Sequence, residues 1–191
     1  EGLIRAVVDK ATMPVLKHYK GVCHVYVHRD AELDMALNIV RNAKVQRPGV
    51  CNALECLLVH SEAAEEFLPR LKDYLAGDDV RFKACPKSLP LLGEKAKPAE
   101  DGDWGREFLS LDMAVRVVES QEEAVRHIEN YGSNHSEAIV TTDYSRAMRF
   151  VQEVDASAVL VNASTRFNDG GQFGLGAEIG ISTSKLHSYG P

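Results

Sequence analysis

The sequence predicts an α/β sandwich with a largely parallel sheet and helices on both of its faces. Three observations favour this fold class. Segments with the composition of strands alternate with segments of helical periodicity nearly throughout the 191 residues. Helix-starting side chains or helix-ending glycines stand at most of the junctions between them. Alternation of this kind is typical of folds in which helices cross over between parallel strands.

Seven segments are predicted as strands. The clearest is 22–27, which is rich in β-branched and aromatic residues. Residues 108–118 alternate apolar and other side chains, the period of a strand with two different faces. The remaining five are short apolar runs at 13–16, 57–60, 80–84, 137–142 and 158–161. Residues 85–105, which hold three prolines and the single Trp, are predicted to be irregular.

Five segments are predicted as helices. The first is a short apolar stripe over 2–9. The second begins at Asp30, whose carboxylate is expected to cap it, and ends at Pro48, which lacks the N–H that a helix needs. The residues expected to start the other three are Ser61, Ser120 and Asp143.

Composition and charge set limits on partners and location. The 22 basic residues are outnumbered by 28 acidic ones, and no basic stripe interleaved with aromatics occurs, so no nucleic-acid partner is expected. There is no apolar run of about 18 residues that could span a membrane. Four cysteines without a C-x-x-C pair favour a reducing, cytoplasmic setting. The chain starts at Glu1 rather than at a Met and ends at Pro191, directly after a glycine. We therefore expect it to be a piece of a longer protein.

The stretch around Cys51 is the first candidate site. Cys51 lies between the helix that ends at Pro48 and the strand at 57–60, so it is expected at a bend, with Asn52 and Glu55 as polar neighbours. A cysteine held in this way is suited to nucleophilic chemistry, but free cysteines are also among the most buried residues. Both interpretations stay open from the local sequence.

A long polar loop over 162–178 is the second candidate site. Four of its residues between positions 170 and 176 are glycines, which let a backbone approach a ligand closely. Arg can bind a carboxylate or phosphate through two parallel hydrogen bonds, so the loop is predicted to bind a ligand beyond the carboxyl end of a strand. The alternative is a surface loop with a solvated Arg. The donors at its start are Asn162, Ser164, Thr165 and Arg166.

The seven histidines show no metal-ligand spacing such as H-E-x-x-H, and no metal site is predicted. His127 is expected to be a solvated helix residue, and His24 and His28 are expected on a surface or at a domain contact. A pair of Cys51 with a histidine would suit a hydrolase or an acyltransferase. No feature of the sequence selects the partner histidine.

Three phrases together resemble the γ-glutamyl phosphate reductases, a family of the aldehyde dehydrogenase superfamily. The similarity extends in order over essentially the whole chain, and the last phrase is the most specific. The phrases are Val50-Cys51-Asn52-Ala53-Leu54-Glu55, Glu107-Phe108-Leu109-Ser110-Leu111-Asp112, and Val161-Asn162-Ala163-Ser164-Thr165-Arg166-Phe167 continued by Gly170-Gly171-Gln172-Phe173-Gly174-Leu175-Gly176-Ala177-Glu178.

The resemblance implies a complete protein with a nucleotide-binding domain, a catalytic α/β domain and a β-hairpin arm for oligomerisation. Residues 1–28 would be the end of the nucleotide-binding domain, and 29–178 the catalytic cysteine domain with an aldehyde dehydrogenase-like fold. Residues 179–191 would return toward the nucleotide-binding and oligomerisation part. Most NADPH contacts would lie outside this sequence, and the full-length protein would be a cytoplasmic homo-oligomer.

The resemblance also implies a reaction: NADPH-dependent reduction of a small molecule, L-glutamyl 5-phosphate, to L-glutamate 5-semialdehyde and phosphate in proline biosynthesis. Cys51 would be the nucleophile that forms a thioester, and the backbone N–H of Cys51 or Asn52 would stabilise the oxyanion. Glu107 and Phe108 would contact the cofactor. The substrate pocket would be shaped by Asn162, Ser164, Thr165 and Arg166.

One departure from the superfamily is informative. Hydrolytic aldehyde dehydrogenases carry a Glu-Leu-Gly-Gly phrase before the strand that corresponds to 22–27, and its Glu activates the water that cleaves the thioester. This chain has His18-Tyr19-Lys20-Gly21 at that place, without a Glu. The absence favours a reductase whose thioester is not hydrolysed.

The sequence is therefore compatible with three classes of function. They are thiol-dependent reduction of an acyl phosphate, hydrolysis or acyl transfer by a Cys–His pair, and a catalytically silent binding or assembly module. Within the first class, the chain could also come from another aldehyde dehydrogenase-like enzyme or from a bifunctional glutamate kinase and reductase. The sequence does not rank NADPH over NADH.

Overall fold

The structure, a computed structural model, describes residues 2–177 and 181–183. In this part of the chain, seven strands form one sheet in which every neighbouring pair is parallel. Their order across the sheet is β4-β3-β5-β2-β1-β6-β7, which confirms the predicted parallel α/β fold. The strands are β1 Cys23–Val27, β2 Leu54–His60, β3 Arg81–Ala84, β4 Ala96–Pro98, β5 Asp112–Val118, β6 Ser136–Val140 and β7 Ala158–Val161.

The helices of the described residues stand mainly between consecutive strands, as crossover connections in a parallel sheet require. None of them is both long enough and apolar enough to cross a membrane. They are α1 Gly2–Lys10, α2 Leu33–Val45, α3 Ser61–Tyr74, α4 Leu89–Leu92, α5 Gln121–Tyr131 and α6 Tyr144–Glu153, with 3-10 turns at Gly93–Lys95, Asp101–Asp103 and Thr165–Phe167.

The middle of the sheet is the core of the molecule. Every residue of β1, β2 and β6 is buried, as expected for parallel strands that other elements cover on both faces. Phe67 of α3 and Phe150 of α6 are fully buried against this core. The turns that enter and leave the central strands are therefore held on a rigid support.

Three of the four predicted helix starts are confirmed and one is shifted. The helix α3 begins at Ser61, with His60 as its N-cap. Asp143 and Ser120 cap α6 and α5 through side-chain bonds to backbone N–H groups. Asp30 does not cap α2, because Glu32 takes that position and its carboxylate accepts two backbone N–H groups at 3.0 and 2.6 Å. The carbonyl of Asp30 instead accepts the N–H of Thr142 at 3.0 Å. Asp30 thus joins the turn after β1 to the turn after β6.

Two predictions about strands are wrong. Residues 13–16 form no strand: Pro14 has no N–H to donate, and Met13 and Leu16 are 73% and 46% exposed. Within the stretch predicted to be irregular, β4 is a strand of three residues at the edge of the sheet. Its Pro98 fits there because an edge strand leaves one side of its backbone unpaired. So short a strand has no recognisable sequence pattern.

Candidate active site around Cys51

Cys51 lies in a tight turn between α2 and β2. The N–H of Ala53 donates to the carbonyl of Val50 at 3.0 Å, so Cys51 and Asn52 occupy the two central positions of the turn. The side chain of Cys51 is partly exposed, whereas the other three cysteines are buried. The predicted bend at Cys51 is confirmed. The alternative interpretation, a fully buried cysteine, is wrong because Cys51 is partly exposed.

The turn lies at the edge of the sheet where the strands begin. Gly21 precedes β1, Cys51 precedes β2, Glu107 precedes β5 and His135 precedes β6. In a parallel sheet all of these starts meet at one edge. Cys51 therefore lies at the edge opposite the carboxyl ends of the strands, because α2 returns the chain to that edge before β2 begins.

Gly21 is the closest neighbour of the Cys51 backbone. A Cβ atom at position 21 would lie 1.8 Å from the carbonyl oxygen of Cys51, a distance that no side chain can occupy. The N–H of Gly21 donates to Oε1 of Glu107 at 2.8 Å. Glu107, predicted to contact a cofactor, is therefore tied to the backbone that packs against Cys51. Phe108 directly follows Glu107, and the Arg106 guanidinium lies 5.4 Å from the centroid of the Phe108 ring.

Two imidazoles flank the thiol. One ring nitrogen each of His18 and His135 and Sγ of Cys51 all lie within 4.8 Å of one another. The rings of the two histidines meet edge to face, with centroids 5.2 Å apart. The sequence reasoning did not select these partners. Their positions in the sequence could have indicated them, because each lies in a polar segment just before a predicted strand, as Cys51 does.

His135 is buried, and Nδ1 of its ring contacts a neighbouring side chain. Its Nδ1 lies 2.8 Å from Oγ of Ser136, whereas its Nε2 has no hydrogen-bond partner among the described residues. Burial, helped by the nearby His18, lowers the pKa of His135 to about 4. The imidazole is therefore neutral near pH 7, with Nε2 available for a proton or a ligand.

Cys23 is the first residue of β1, and its side chain contacts the backbone of the Cys51 turn. Its Sγ–H donates to the carbonyl of Cys51 at 3.2 Å. Burial, together with the negative charge of Glu137, raises the pKa of Cys23 well above that of an ordinary thiol. Cys23 therefore stays protonated and acts as a hydrogen-bond donor, which leaves Cys51 as the thiol suited to nucleophilic chemistry.

A buried cation lies on the other side of the turn. Arg166, in the 3-10 turn Thr165–Phe167, is only 8% exposed. Its guanidinium donates to Oδ1 of Asn52 and, at 3.2 Å, to Oε1 of Gln46. These partners are neutral amides, and none of the carboxylates in the described part of the chain forms an ion pair with it. The charge next to Cys51 is thus poised to attract an anion.

Asn52 and the residues around Arg166 form one network. Nδ2 of Asn52 donates to the carbonyl of Asn168 at 2.9 Å, and Nδ2 of Asn168 donates to Oγ of Ser136 at 2.8 Å. Ser164 accepts the backbone N–H of Arg166 at 3.2 Å through its hydroxyl. Thr165 is fully buried, and its hydroxyl oxygen has no partner among the described residues. The loop after β7 is therefore connected to both Cys51 and His135.

Asn162 does not belong to this group. Its side chain accepts the N–H of Thr141 at 3.0 Å and donates to the carbonyl of Thr141 at 2.9 Å. Thr141 follows β6, and the five residues of that strand span about 17 Å, so Asn162 lies at the opposite edge of the sheet from Cys51. We therefore remove Asn162 from the expected substrate contacts. Glu178, at the end of the glycine-rich phrase, lies outside the described residues.

Three further histidines are buried, against expectation. His24 and His28 are 0% and 2% exposed because β1 lies in the middle of the sheet, and His127 is 3% exposed on the covered face of α5. His24 contacts the buried carboxylate of Glu137 at 2.9 Å. Together with Cys56, His24 and His127 form a second group of possible ligands, enclosed in the core. The prediction of solvated histidines failed because charged neighbours along a helix do not show which face is covered.

The group around Cys51 can carry out nucleophilic substitution at a carbonyl carbon. It offers a partly exposed thiol, a neutral imidazole, the N–H groups of a turn and a buried cation for an anionic substrate group. Glu107, which precedes β5, is engaged with the N–H of Gly21.

Comparison with known proteins gives a consistent result. No protein-family model matches the chain. The γ-glutamyl phosphate reductases of Maridesulfovibrio salexigens and Nitratidesulfovibrio vulgaris are 64% and 65% identical to it over 191 residues, which is 100% of this chain and 46% of each relative. The chain thus spans about half the length of the curated relatives that it matches.

Solved structures agree with these relatives. The γ-glutamyl phosphate reductase of Thermotoga maritima superposes with a TM-score of 0.94 at 50% identity, covering 100% of this chain and 46% of that one. An acetylating aldehyde dehydrogenase of Geobacillus thermoglucosidasius superposes with a TM-score of 0.69 at 20% identity, covering 90% and 46%; at that identity it shows the fold alone. The chain is therefore related over its whole length to the γ-glutamyl phosphate reductases and has the fold of the aldehyde dehydrogenases.

Proposed function

We propose that this chain is the catalytic-cysteine part of a γ-glutamyl phosphate reductase. The enzyme would use NADPH to reduce L-glutamyl 5-phosphate to L-glutamate 5-semialdehyde, releasing phosphate, as a step of proline biosynthesis. The observation that carries the proposal is the setting of Cys51, a partly exposed thiol in a tight turn beside the buried cation of Arg166. Relatives named for this activity, at 64% and 65% identity, support it.

In the first step, the thiolate of Cys51 attacks the γ-carbonyl carbon of the substrate. The thiol proton passes to the imidazole of His18, whose ring nitrogen lies within 4.8 Å of Sγ, while His135, with a pKa of about 4, stays neutral beside it. The C–O bond to phosphate breaks, phosphate leaves with the bonding electron pair, and a thioester on Cys51 remains. Splitting the reduction in this way replaces one difficult step by two easier ones.

The backbone of the turn stabilises the charge that develops on the carbonyl oxygen. Cys51 and Asn52 are its two central residues, and the N–H groups at such positions point away from the hydrogen bond that closes the turn. One or both of them donate to the oxyanion. Their fixed orientation is maintained by Gly21 and Cys23, which pack against the Cys51 carbonyl.

Arg166 holds an anionic part of the substrate, either its α-carboxylate or its phosphate. The guanidinium is buried, and its side-chain partners among the described residues are neutral amides, so an anion would balance its charge. Thr165, with a buried hydroxyl oxygen that has no described partner, is a further contact, and Ser164 orients Arg166 by accepting its N–H.

A nicotinamide cofactor fits next to Glu107. One carboxylate oxygen of Glu107 accepts the N–H of Gly21, and the partly exposed side chain leaves the other for a ribose hydroxyl. Phe108 adjoins it. A glyceraldehyde-3-phosphate dehydrogenase of Methanocaldococcus jannaschii, solved with NADP, superposes on the chain with a TM-score of 0.70 at 15% identity. When bound there, NADPH would supply a hydride to the thioester carbon, and the aldehyde would leave with Cys51 restored as the thiolate.

Two segments at the ends of the chain belong to the rest of the proposed protein. None of the residues of α1 is buried, which suits the edge of a nucleotide-binding domain. We place the boundary before Cys23 rather than near residue 28, because β1 lies between β2 and β6 in the sheet. Of the return segment 179–191, only 181–183 are described, and Thr183 donates to the carbonyl of Lys17 at 3.2 Å. The full-length protein is further proposed to be a homo-oligomer, as the resemblance implies.

The test uses the full-length protein that carries this chain. With L-glutamyl 5-phosphate, NADPH should be oxidised in proportion to the semialdehyde formed, and Cys51→Ser should abolish turnover while leaving the fold intact. A serine hydroxyl ionises far less readily than a thiol, so the nucleophile is lost. Cys56→Ser is the matched control and should change activity little, because Cys56 lies five residues further on, within β2, and need not share the pocket of Cys51.

Two results would contradict the proposal. Activity of Cys51→Ser near that of the wild type would show that another group is the nucleophile. Release of phosphate and glutamate without NADPH would instead identify a Cys–His hydrolase, the second candidate, which the two imidazoles beside Cys51 favour.

A further inference from the structure

The side chains around the nucleophile are also a set of soft-metal ligands. His18, Cys51 and His135 each offer one ligand atom, and these atoms all lie within 4.8 Å of one another. Thiolate sulfur and imidazole nitrogen are the ligands that Zn²⁺ prefers in proteins, and three of them with one open position are typical of an accessible zinc site.

The spacing is close to what a single ion needs. Zn–S and Zn–N bonds of about 2.3 and 2.0–2.1 Å place the ligand atoms of a tetrahedral site about 3.3–3.6 Å apart. The widest spacing here exceeds that range by no more than about 1.5 Å. His18 and Cys51 are both partly exposed, so rotation of their side chains can close the gap. His135 is the fixed ligand, because it is fully buried and bound to Ser136.

In both histidines Nδ1 has a hydrogen-bonding contact, which leaves Nε2 as the nitrogen for a metal ion. Nδ1 of His18 lies 3.0 Å from the carbonyl oxygen of Ile181, which can only accept, so the neutral ring carries its proton on Nδ1 and leaves a lone pair on Nε2. Nδ1 of His135 contacts Ser136 Oγ, and its Nε2 is a buried nitrogen without a partner among the described residues. An outer hydrogen bond of this kind on each ring is the usual arrangement of histidines that bind a metal.

We propose that Zn²⁺ binds to His18, Cys51 and His135 and reversibly blocks the nucleophile. The ion binds the thiolate sulfur, releases the thiol proton and keeps its fourth position for water. The blocking role rests on the proposed function of Cys51, whereas metal binding itself does not. The enclosed group of His24, Cys56 and His127, at 0%, 1% and 3% exposure, offers an internal comparison that Zn²⁺ from solution cannot readily reach.

The experiment measures the alkylation rate of Cys51 by iodoacetamide in the full-length protein that carries this chain, followed by peptide mass spectrometry, without substrate or NADPH. Micromolar Zn²⁺ should slow the reaction at least about tenfold, EDTA should restore it, and Mg²⁺, which prefers oxygen ligands, should have no effect. His18→Gln and His135→Gln should each raise the Zn²⁺ concentration needed for half protection about tenfold or more. Each rate is compared with that of the same variant without metal.

A spectroscopic measurement locates the ion. Co²⁺ in place of Zn²⁺ should give a thiolate-to-metal charge-transfer band in the wild type and in the control Cys56→Ser, and the band should be absent in Cys51→Ser. Circular dichroism verifies that each variant is folded, and if His135→Gln does not fold, the partly exposed His18 still provides the test.

Three outcomes would overturn the proposal. They are absence of protection up to millimolar Zn²⁺, equal protection in the wild type and in the histidine variants, and a Co²⁺ band that survives in Cys51→Ser. None of them bears on the proposed reductase, whose failure would appear separately as absence of NADPH-dependent turnover in the full-length protein.

Discussion

Arg166 is the residue whose surroundings point most directly to a substrate. It is buried beside the Cys51 turn, and in the described part of the chain its guanidinium has amide partners. In the full-length protein, Arg166→Ala should lower kcat/KM by the equivalent of about 1.5–3 kcal/mol, mainly through KM, because a charged hydrogen bond to the substrate is lost. Steady-state kinetics measure this, with Arg70→Ala on the exposed face of α3 as the control. An unchanged kcat/KM would assign Arg166 to a structural role.

Gly21 gives a second prediction at this scale. In Gly21→Ala, the new Cβ would meet the carbonyl of Cys51 at 1.8 Å, so the turn must move. A displacement of about 1 Å at a reacting group costs roughly a hundredfold in rate, and we expect kcat to fall by about that factor while the far-ultraviolet spectrum is retained. Gly102→Ala, where nothing lies within 4 Å of the new Cβ, is the matched control. Equal activity of the two variants would refute the proposed packing.

At the scale of the elements, a buried ion pair holds the two ends of the Cys51 turn. Nζ of Lys44, near the end of α2, lies 2.7 Å from Oε2 of Glu55 and 2.8 Å from the carbonyl of Leu54, both in β2. The other oxygen of Glu55 accepts the N–H of Leu109 at 3.2 Å. Both charged side chains are fully buried. The pair thus ties α2, β2 and the segment before β5 together around the nucleophile.

Lys44→Met should destabilise the protein by about 3–5 kcal/mol, since it leaves the carboxylate of Glu55 buried without its partner. Burial already raises the pKa of Glu55 to about 7 against the pull of Lys44. Without Lys44 the pKa of Glu55 in the folded protein rises further above its ordinary value of about 4.5. As pH increases above that value, Glu55 ionises in the unfolded state before it ionises in the folded state. The variant therefore loses stability as pH increases. The deficit in urea unfolding should be larger at pH 8 than at pH 6.

The matched control is Arg41→Met on the same helix. Arg41 binds Asp78 at 2.8 Å in an exposed pair, and such pairs contribute about 0–1 kcal/mol. If Lys44→Met costs no more than this control at either pH, the buried pair does not fix the turn.

The sequence predicted the elements better than it predicted the site. Strand and helix alternation located six of the seven strands, because periodicity and turn residues are local properties. Cys51 was found since Pro48 marks the end of a helix, and Arg166 since it stands beside glycines. His18 and His135 were missed because only the parallel sheet, a non-local feature, brings their segments to one edge. Asn162 was misplaced because the loop after β7 runs back along the sheet, which no local pattern encodes.

At the scale of the whole molecule, we predict that the isolated 191-residue chain folds and does not turn over. Its seven strands form one sheet with a buried core, so urea unfolding should be cooperative. The proposed nucleotide-binding domain is absent, and Glu107 alone cannot fix a dinucleotide. Calorimetry should therefore detect no saturable NADPH binding up to about 1 mM, while Cys51 remains alkylatable. The full-length protein is the positive control, and tight binding by the chain alone would show that the cofactor site is built differently.

The assembly of the site from the starts of parallel strands also has a consequence for how the chain acquires its chemistry. Residues 18, 51, 107, 135 and 166 are widely separated in sequence and meet only at the edge of the complete sheet. Contacts between such distant segments close large loops and form slowly compared with helices. A nascent or refolding chain will thus hold Cys51 as an ordinary thiol long after its helical content has returned. The reactivity proposed for Cys51 will emerge only with the last strand pairings, so that incomplete molecules lack it.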